Sequence, residues 1–360
     1  MAQIDGFFKL MNDEGASDLH MVAGQQPLLR VRGDMERVKF KSLGNDELRA
    51  MLYEICPEEK IKVFEETGDI DFGYEIPGLA RYRCNFFQQK YGVGAVFREI
   101  PSDILTVEQL GLPKVISRLA HLPKGMVLVT GPTGSGKSTT LAAIVDECNK
   151  TRKDHILTIE DPIEFVHKSQ KCIVNHREVG THTRSFSAAL RGALREDPDI
   201  ILVGELRDLE TIALAMEAAM TGHLVFGTLH TINAMKTVDR IIEIFPANQQ
   251  GQVRSTLADA LKAVVSQTLF KRVDVKGRCA ALEILIATPA VRNLIRDAKT
   301  YQILSTMQTG KKYGMQTLDD AIELFLDKKM ISSDDAYSNA VEKARFLPYL
   351  RNAPSDFTEV

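Results

Sequence analysis

Residues 126–150, MVLVTGPTGSGKSTTLAAIVDECNK, set the terms for everything around them. MVLVT at 126–130 reads as a short buried strand and 137–150 as a helix. Between them Gly131, Pro132, Thr133, Gly134, Ser135, Gly136, Lys137, Ser138 and Thr139 satisfy G-x-x-x-x-G-K-[ST] in its required strand-before, helix-after setting. The glycines let successive backbone N–H groups turn inward on phosphate oxygens, and the helix starting at Lys137 adds the positive end of its dipole. In such a loop the lysine neutralises the β and γ phosphates and Ser138 is the Mg²⁺ ligand, so ATP or GTP is the expected ligand.

A phosphate loop needs acids at neighbouring strand ends. DPDIILVGELRD supplies one, because the apolar run Ile200–Val203 closes on Gly204 and Glu205. A glutamate there polarises the attacking water or organises the metal. A second cluster, Glu160, Asp161, Pro162, Ile163 and Glu164, follows HILTI at 155–159 and offers a general base or a metal contact through water. Which of Glu160, Glu164 and Glu205 is the base stays open. TGHLVFGTLHTINA puts His223 and His230 at the two ends of one strand. His230 is the stronger candidate, since ligands of parallel sheets lie at the C-terminal strand ends. No third ligand is spaced to make either histidine part of a metal site.

Working outward, short apolar strands alternate with helices from about residue 116. Strands are expected at 126–130, 155–159, 200–203, 223–228 and 279–287, with helices at 137–150, 185–196, 208–221 and 233–245, giving a largely parallel sheet. The region from about 288 to 347 reads as helical, with Thr288-Pro289 as N-cap and first turn and Thr317 as a further cap. Residues 1–100 read as a small α+β domain: Ile4, Phe7, Phe8 and Met11 form an amphipathic helix stripe, and strands are expected within 27–40 and 69–100. The stretch 101–115, with Pro101, Gly111 and Pro113, is the expected linker, and 116–360 the second domain.

Composition narrows the function classes. A net charge of −3 gives no basic field for nucleic acid. The five cysteines include no C-x-x-C pair, so neither a zinc ribbon nor a disulfide framework is indicated, and a reducing compartment follows. The longest apolar stretches fall far short of the ~20 residues of a membrane span. A cytoplasmic protein without a transmembrane segment is expected.

GPTGSGKST, TIEDPIEF, LVGELRD and TGHLVFGTLHT, in this order and spacing, resemble the secretion ATPase superfamily, the hexameric motors of type II secretion and type IV pili. They match its Walker A, Asp box, atypical Walker B and His box. ASDLHM near residue 20, RYRCNFFQQK at 81–90 and FREIP at 97–101 are similar to the family's N-terminal domain, so the resemblance spans almost the whole chain. Within the superfamily the chain resembles the pilus-retraction, twitching-motility branch. Only about 100 residues precede the linker, no tetracysteine zinc site is present, and Ala290, Val291, Arg292, Asn293, Leu294 and Ile295 depart from that branch's AIRNLI only at Val291.

The resemblance implies a PAS-like N-terminal domain, a RecA-like ATPase domain and a homo-hexamer that hydrolyses ATP with Mg²⁺. It implies an inner-membrane pilus platform protein as partner, reached from the cytoplasmic face, and pilin as an indirect one. It also implies that Arg81, Arg83 and Arg98 reach a nucleotide from the N-terminal side, where a planar, permanently charged donor suits the transferred phosphoryl group. Arg195, Arg207 and Arg240 are further candidates. A retraction-accessory paralogue and a pilus-extension or type II secretion ATPase differ mainly in the direction or assistance of force. A nucleotide-switched binding module would hydrolyse slowly and act stoichiometrically, whereas a motor cycles.

Lys137→Ala is expected to abolish ATP turnover in the purified protein; near-normal turnover would remove the loop from the chemistry.

Overall fold

The structure is a computed structural model that describes residues 2–31, 34–100 and 103–350; Pro101, in the expected linker and in FREIP, lies outside the described residues. The chain divides into two compact units, Met1–Asp103 with Asp161–Val166, and Ile104–Glu160 with His167–Val360.

The first unit comprises α1 (Asp5–Asp13), β1 (Asp18–Val22), β2 (Leu28–Val31), β3 (Asp34–Arg37), α2 (Asn45–Tyr53), α3 (Glu58–Thr67), β4 (Asp69–Ile76), β5 (Ala80–Gln89) and β6 (Gly92–Ile100). Its six strands form an antiparallel sheet in the order β3-β2-β1-β6-β5-β4. Successive side chains of a strand face opposite sides. In β5 this buries Ala80, Tyr82, Cys84 and Phe86 and leaves Arg81 and Arg83 on the other face. Arg98 on β6 pairs in register with Arg83 and shares that face. The α1 stripe meets the buried face: Ile4, Phe8 and Met11 are fully buried, and Phe8 stacks on Tyr82 at 4.2 Å and meets Phe97 edge-on at 5.1 Å. Each such ring contributes about 1.5–3 kcal/mol by leaving water.

The second unit opens with α4 (Lys114–Leu119), β7 (Gly125–Thr130), α5 (Lys137–Thr151), β8 (His155–Glu160), β9 (Ile173–Glu178) and α6 (Phe186–Ala193). It continues with β10 (Ile200–Val203), α7 (Leu209–Thr221), β11 (Leu224–Leu229), α8 (Ala234–Glu243), α9 (Gln250–Ala260), β12 (Leu261–Lys271) and β13 (Arg278–Ile286). The sheet order is β13-β12-β7-β11-β10-β8-β9, parallel except for β13. Every residue of β7, β10 and β11 is buried, because helices cover both faces. Alternation divides these continuous apolar runs between two cores. Met126, Leu128, Ile201 and Val203 go to one; Val127, Val129, Ile200 and Leu202 go to the other.

Each of the five expected strands lies within one residue of its observed bounds, and the helices expected at 137–150 and 208–221 match equally closely. Three strands escaped: β1, β9 and β12. β9 is a sheet edge whose run IVNHRE is mostly polar, and β12 follows α9 directly with no glycine or proline to mark the change. After β13 come α10 (Pro289–Arg296), α11 (Ile303–Thr309), α12 (Leu318–Asp327), α13 (Ser333–Asn339) and α14 (Lys343–Phe346). Thr288 caps α10 with Pro289 in its first turn, and Thr317 caps α12. Among the described residues no helix is long and apolar enough to cross a membrane.

A buried histidine, His167, and a half-buried one, His176, tie β9 to its surroundings. His176 on β9 bonds the Thr158 hydroxyl of β8 through Nδ1 at 2.8 Å, and its Nε2 accepts the His167 backbone N–H at 3.1 Å. Burial, and secondarily the neighbouring His176, push the His167 imidazole down to about 4 from 6.5. Above pH 6.5 both folded and unfolded states are neutral here and nothing is lost; below it the unfolded chain takes up the proton first. Folding stability should therefore fall by about 3 kcal/mol as the pH drops from about 6.5 to 4. Chemical denaturation of His167→Gln should show a shallower loss over that range, and parallel curves for variant and native protein would rule out this assignment.

Candidate active site

Parallel pairing aligns Leu229 with Thr130, and Ile159 with Val203. The residues that follow β7, β8, β10 and β11 therefore leave the sheet along the same edge. The phosphate loop follows β7, Glu160 ends β8, Glu205 comes two residues after β10, and His230 follows β11. β11 lies between β7 and β10, so the histidine strand separates the loop from the Glu205 strand.

Within the loop, Gly131 and Gly136 have φ of 142° and 86°. A Cβ on Gly131 would lie 2.4 Å from the Gln267 carbonyl oxygen, and one on Gly136 2.8 Å from Gln267 Nε2. Bare backbone is obligatory at both. Lys137, 8% exposed, folds its ammonium over the loop and donates to the carbonyl oxygens of Gly131 (2.8 Å) and Pro132 (3.1 Å). Ser135 Oγ is buried in the loop with no hydrogen-bond partner among the described residues. A cradle of this shape, cationic and lined with backbone N–H groups at a helix start, fits a polyphosphate.

Glu205 is held between Arg207 and His230. Its Oε1 accepts from Arg207 Nε at 2.6 Å and from His230 Nε2 at 3.1 Å. Burial alone would raise this carboxyl, but the Arg207 hydrogen bond and the charges of Arg207 and His230 outweigh it and hold it below the usual carboxylate range. Glu205 is thus a carboxylate at neutral pH. A Cβ on Gly204 would come within 3.3 Å of the Glu160 Cα, so the ends of β8 and β10 approach closely. Among the described residues no cluster of three or more His, Cys, Asp or Glu is arranged to hold a metal ion.

The acidic run 160–164 divides. Glu160 stays with the second unit, and Asp161 and Glu164 pack in the first, where Arg83 lies 4.0 Å from Glu164. The first-unit arginines are already engaged there. Arg83 Nε donates to Asp71 at 2.8 Å, a bond that raises its guanidinium further; Arg98 Nε donates to Asp18 at 2.8 Å; and Arg81 Nε donates to the Ile163 carbonyl at 3.2 Å.

His223 sits at the opposite end of β11 from His230, its Nδ1 2.9 Å from the Ala218 carbonyl, where it closes the end of α7. Arg195 and Arg240 are exposed at the ends of α6 and α8. In α10, Val291 and Ile295 are buried, Leu294 half-buried, and Ala290 and Asn293 exposed. Arg292 Nε donates to the Ala287 carbonyl at 2.9 Å.

Sequence reading missed the underside of the loop. Ser266 and Gln267 on β12 reach it directly: Ser266 Oγ is 2.8 Å from Thr130 Oγ, Gln267 Nε2 donates to the Ser135 carbonyl at 2.7 Å, and Thr140 Oγ donates to Gln267 Oε1 at 2.7 Å. The available signal was a polar Ser-Gln pair inside the apolar run AVVSQTLF.

A lysine-bearing phosphate loop after an inner strand of a parallel sheet, flanked by strand-end acids and a histidine, defines a P-loop ATPase. Residues 89–292 match the model of the type II/IV secretion system protein family. The type IV pilus retraction ATPase PilT of Pseudomonas aeruginosa is 56% identical over 92% of this chain and 95% of its own length. A twitching motility protein of Neisseria gonorrhoeae is 52% identical over 87% of this chain and 84% of its own. Among solved structures, the pilus retraction motor PilT with bound ADP superposes with a TM-score of 0.87 at 44% identity, covering 96% of this chain and 98% of that one. The chain belongs to the type II/IV secretion system protein family of ATPases.

Proposed function

We propose that this chain is the ATP-hydrolysing motor of type IV pilus retraction, acting in pilus disassembly and twitching motility. The observation that carries the hydrolytic part is Glu205, kept ionised and 3.1 Å from His230 on the strand-end edge that also bears the phosphate loop. The 56% identity with PilT, together with the AVRNLI segment at 290–295, supports retraction as the work done.

Residues 131–139 and the start of α5 hold the phosphates, with Lys137 exchanging the carbonyls of Gly131 and Pro132 for β and γ oxygens. Water attacks the γ phosphorus, the bond to the β-bridging oxygen breaks, and ADP leaves with that electron pair. The proton of the attacking water goes to a carboxylate among Glu160, Glu164 and Glu205, helped by Asp161. Ser138 and Glu205 are oxygen donors suited to Mg²⁺, which when bound neutralises charge building on the phosphates. His230, in contact with Glu205, reports the γ-phosphate to the rest of the subunit.

Arg81, Arg83 and Arg98 supply cationic charge to the transferred group; a function of this kind is worth ~10³–10⁵ in rate. Arg83 and Asp71 are both partly exposed, and a pair of that kind is weak enough to exchange. The proposed domains are 1–100, PAS-like, 101–115, the linker, and 116–360, the RecA-like ATPase with its C-terminal helices, save that Asp161–Val166 group with the first unit. Six copies form a ring in the cytoplasm at the inner-membrane face, and α10 passes the movement to the platform protein, from which pilin leaves the fibre.

Glu205→Ala should bind ATP normally and turn it over about 100-fold more slowly or worse; a folded variant that no longer binds ATP would make Glu205 a binding residue instead. In cells, loss of the gene should leave pili that extend and never shorten. Arg292→Ala should reproduce that phenotype with most of the ATPase activity intact, and retraction seen in the variant strain would refute the coupling role of α10.

A further inference from the structure

We infer that Gln267 is the positioning residue of the phosphate loop, holding it in its nucleotide-ready shape from the neighbouring strand. β12 runs parallel to β7, and the last pair in their register is Ser266 with Thr130. Gln267 is therefore the first residue beyond the point where β7 leaves the sheet to become the loop. Its amide, in a residue only 3% exposed, makes two directional bonds at once. Nε2 donates to the Ser135 carbonyl at 2.7 Å, and Oε1 accepts from the Thr140 hydroxyl at 2.7 Å. A donor on one side and an acceptor on the other leave one orientation of the amide.

The C=O and N–H of a trans peptide point in opposite directions. Gripping the Ser135 carbonyl therefore turns the Gly136 N–H away from Gln267, which is how a phosphate-binding loop exposes its donors. Thr140 lies in the first turn of α5, so the same side chain ties the loop to the helix start that bears Lys137. Gly131 and Gly136 complete the interlock, since a Cβ on either would strike Gln267. The requirement for glycine at these two places thus comes partly from a residue on another strand.

This inference rests on the reading of residues 131–139 as a nucleotide site, and the experiment separates the two. Fluorescent ADP is titrated into the full-length native protein and into Gln267→Leu and Gln267→Glu. Leucine keeps the bulk and removes both bonds, so its Kd should rise about ten- to hundredfold, the effect of one or two lost buried hydrogen bonds. Glutamate can donate to the Ser135 carbonyl only when protonated. Its affinity should approach the native value as the pH falls from 8 to 5.5 and exceed that of Gln267→Leu at the acid end, which a space-filling role would not produce. Native affinity in Gln267→Leu, or a Gln267→Glu affinity that never passes it, overturns the inference. If the leucine variant does not fold, the ratio of Gln267→Glu to native Kd decides alone: a falling ratio supports positioning and a flat one overturns it. A native chain that binds no ADP sinks the nucleotide-site reading itself.

Discussion

Backbone hydrogen bonds between parallel strands assemble this site before any side chain takes part. β7, β11, β10 and β8 run side by side in one direction, so a lysine, two glutamates and a histidine far apart in the chain leave the sheet on one edge. The price is burial of both faces, and the sequence meets it with unbroken apolar runs such as MVLVT and IILV. A one-residue slip of β10 would swap its side chains between the two cores and shift Glu205 along the edge relative to His230.

The charges on that edge are satisfied within the protein. Lys137 rests on backbone carbonyls, and Glu205 on Arg207 and His230. Glu205 stays ionised although burial opposes it, which suits the proposed role of accepting a proton or a metal.

Much of this was legible in advance, for identifiable reasons. GPTGSGKST carries its meaning locally, since a loop of fixed length between strand and helix has few ways to turn its amides inward. Strands β7, β8, β10, β11 and β13 were visible as short apolar runs bounded by polar or glycine residues. β12 was not, because α9 ends at Ala260 and the strand begins at Leu261 with nothing between them to break the pattern. With the strand unseen, Gln267 was only a polar residue in an apolar stretch. Nor does the sequence reveal that the run 160–164 divides between two units, because its residues are contiguous.

By itself the sequence determined the kind of chemistry: residue types at fixed short spacings specify a phosphate loop, strand-end acids and a parallel sheet, because these depend on local backbone geometry and apolar periodicity. Only the tertiary structure decided the pairings. That His230 rather than His223 meets Glu205, that Arg83 sits against Asp71, and that Gln267 braces Ser135 and Thr140 all depend on strand order and register. Those are set by how the whole chain buries its apolar faces, and no short stretch of sequence contains that information.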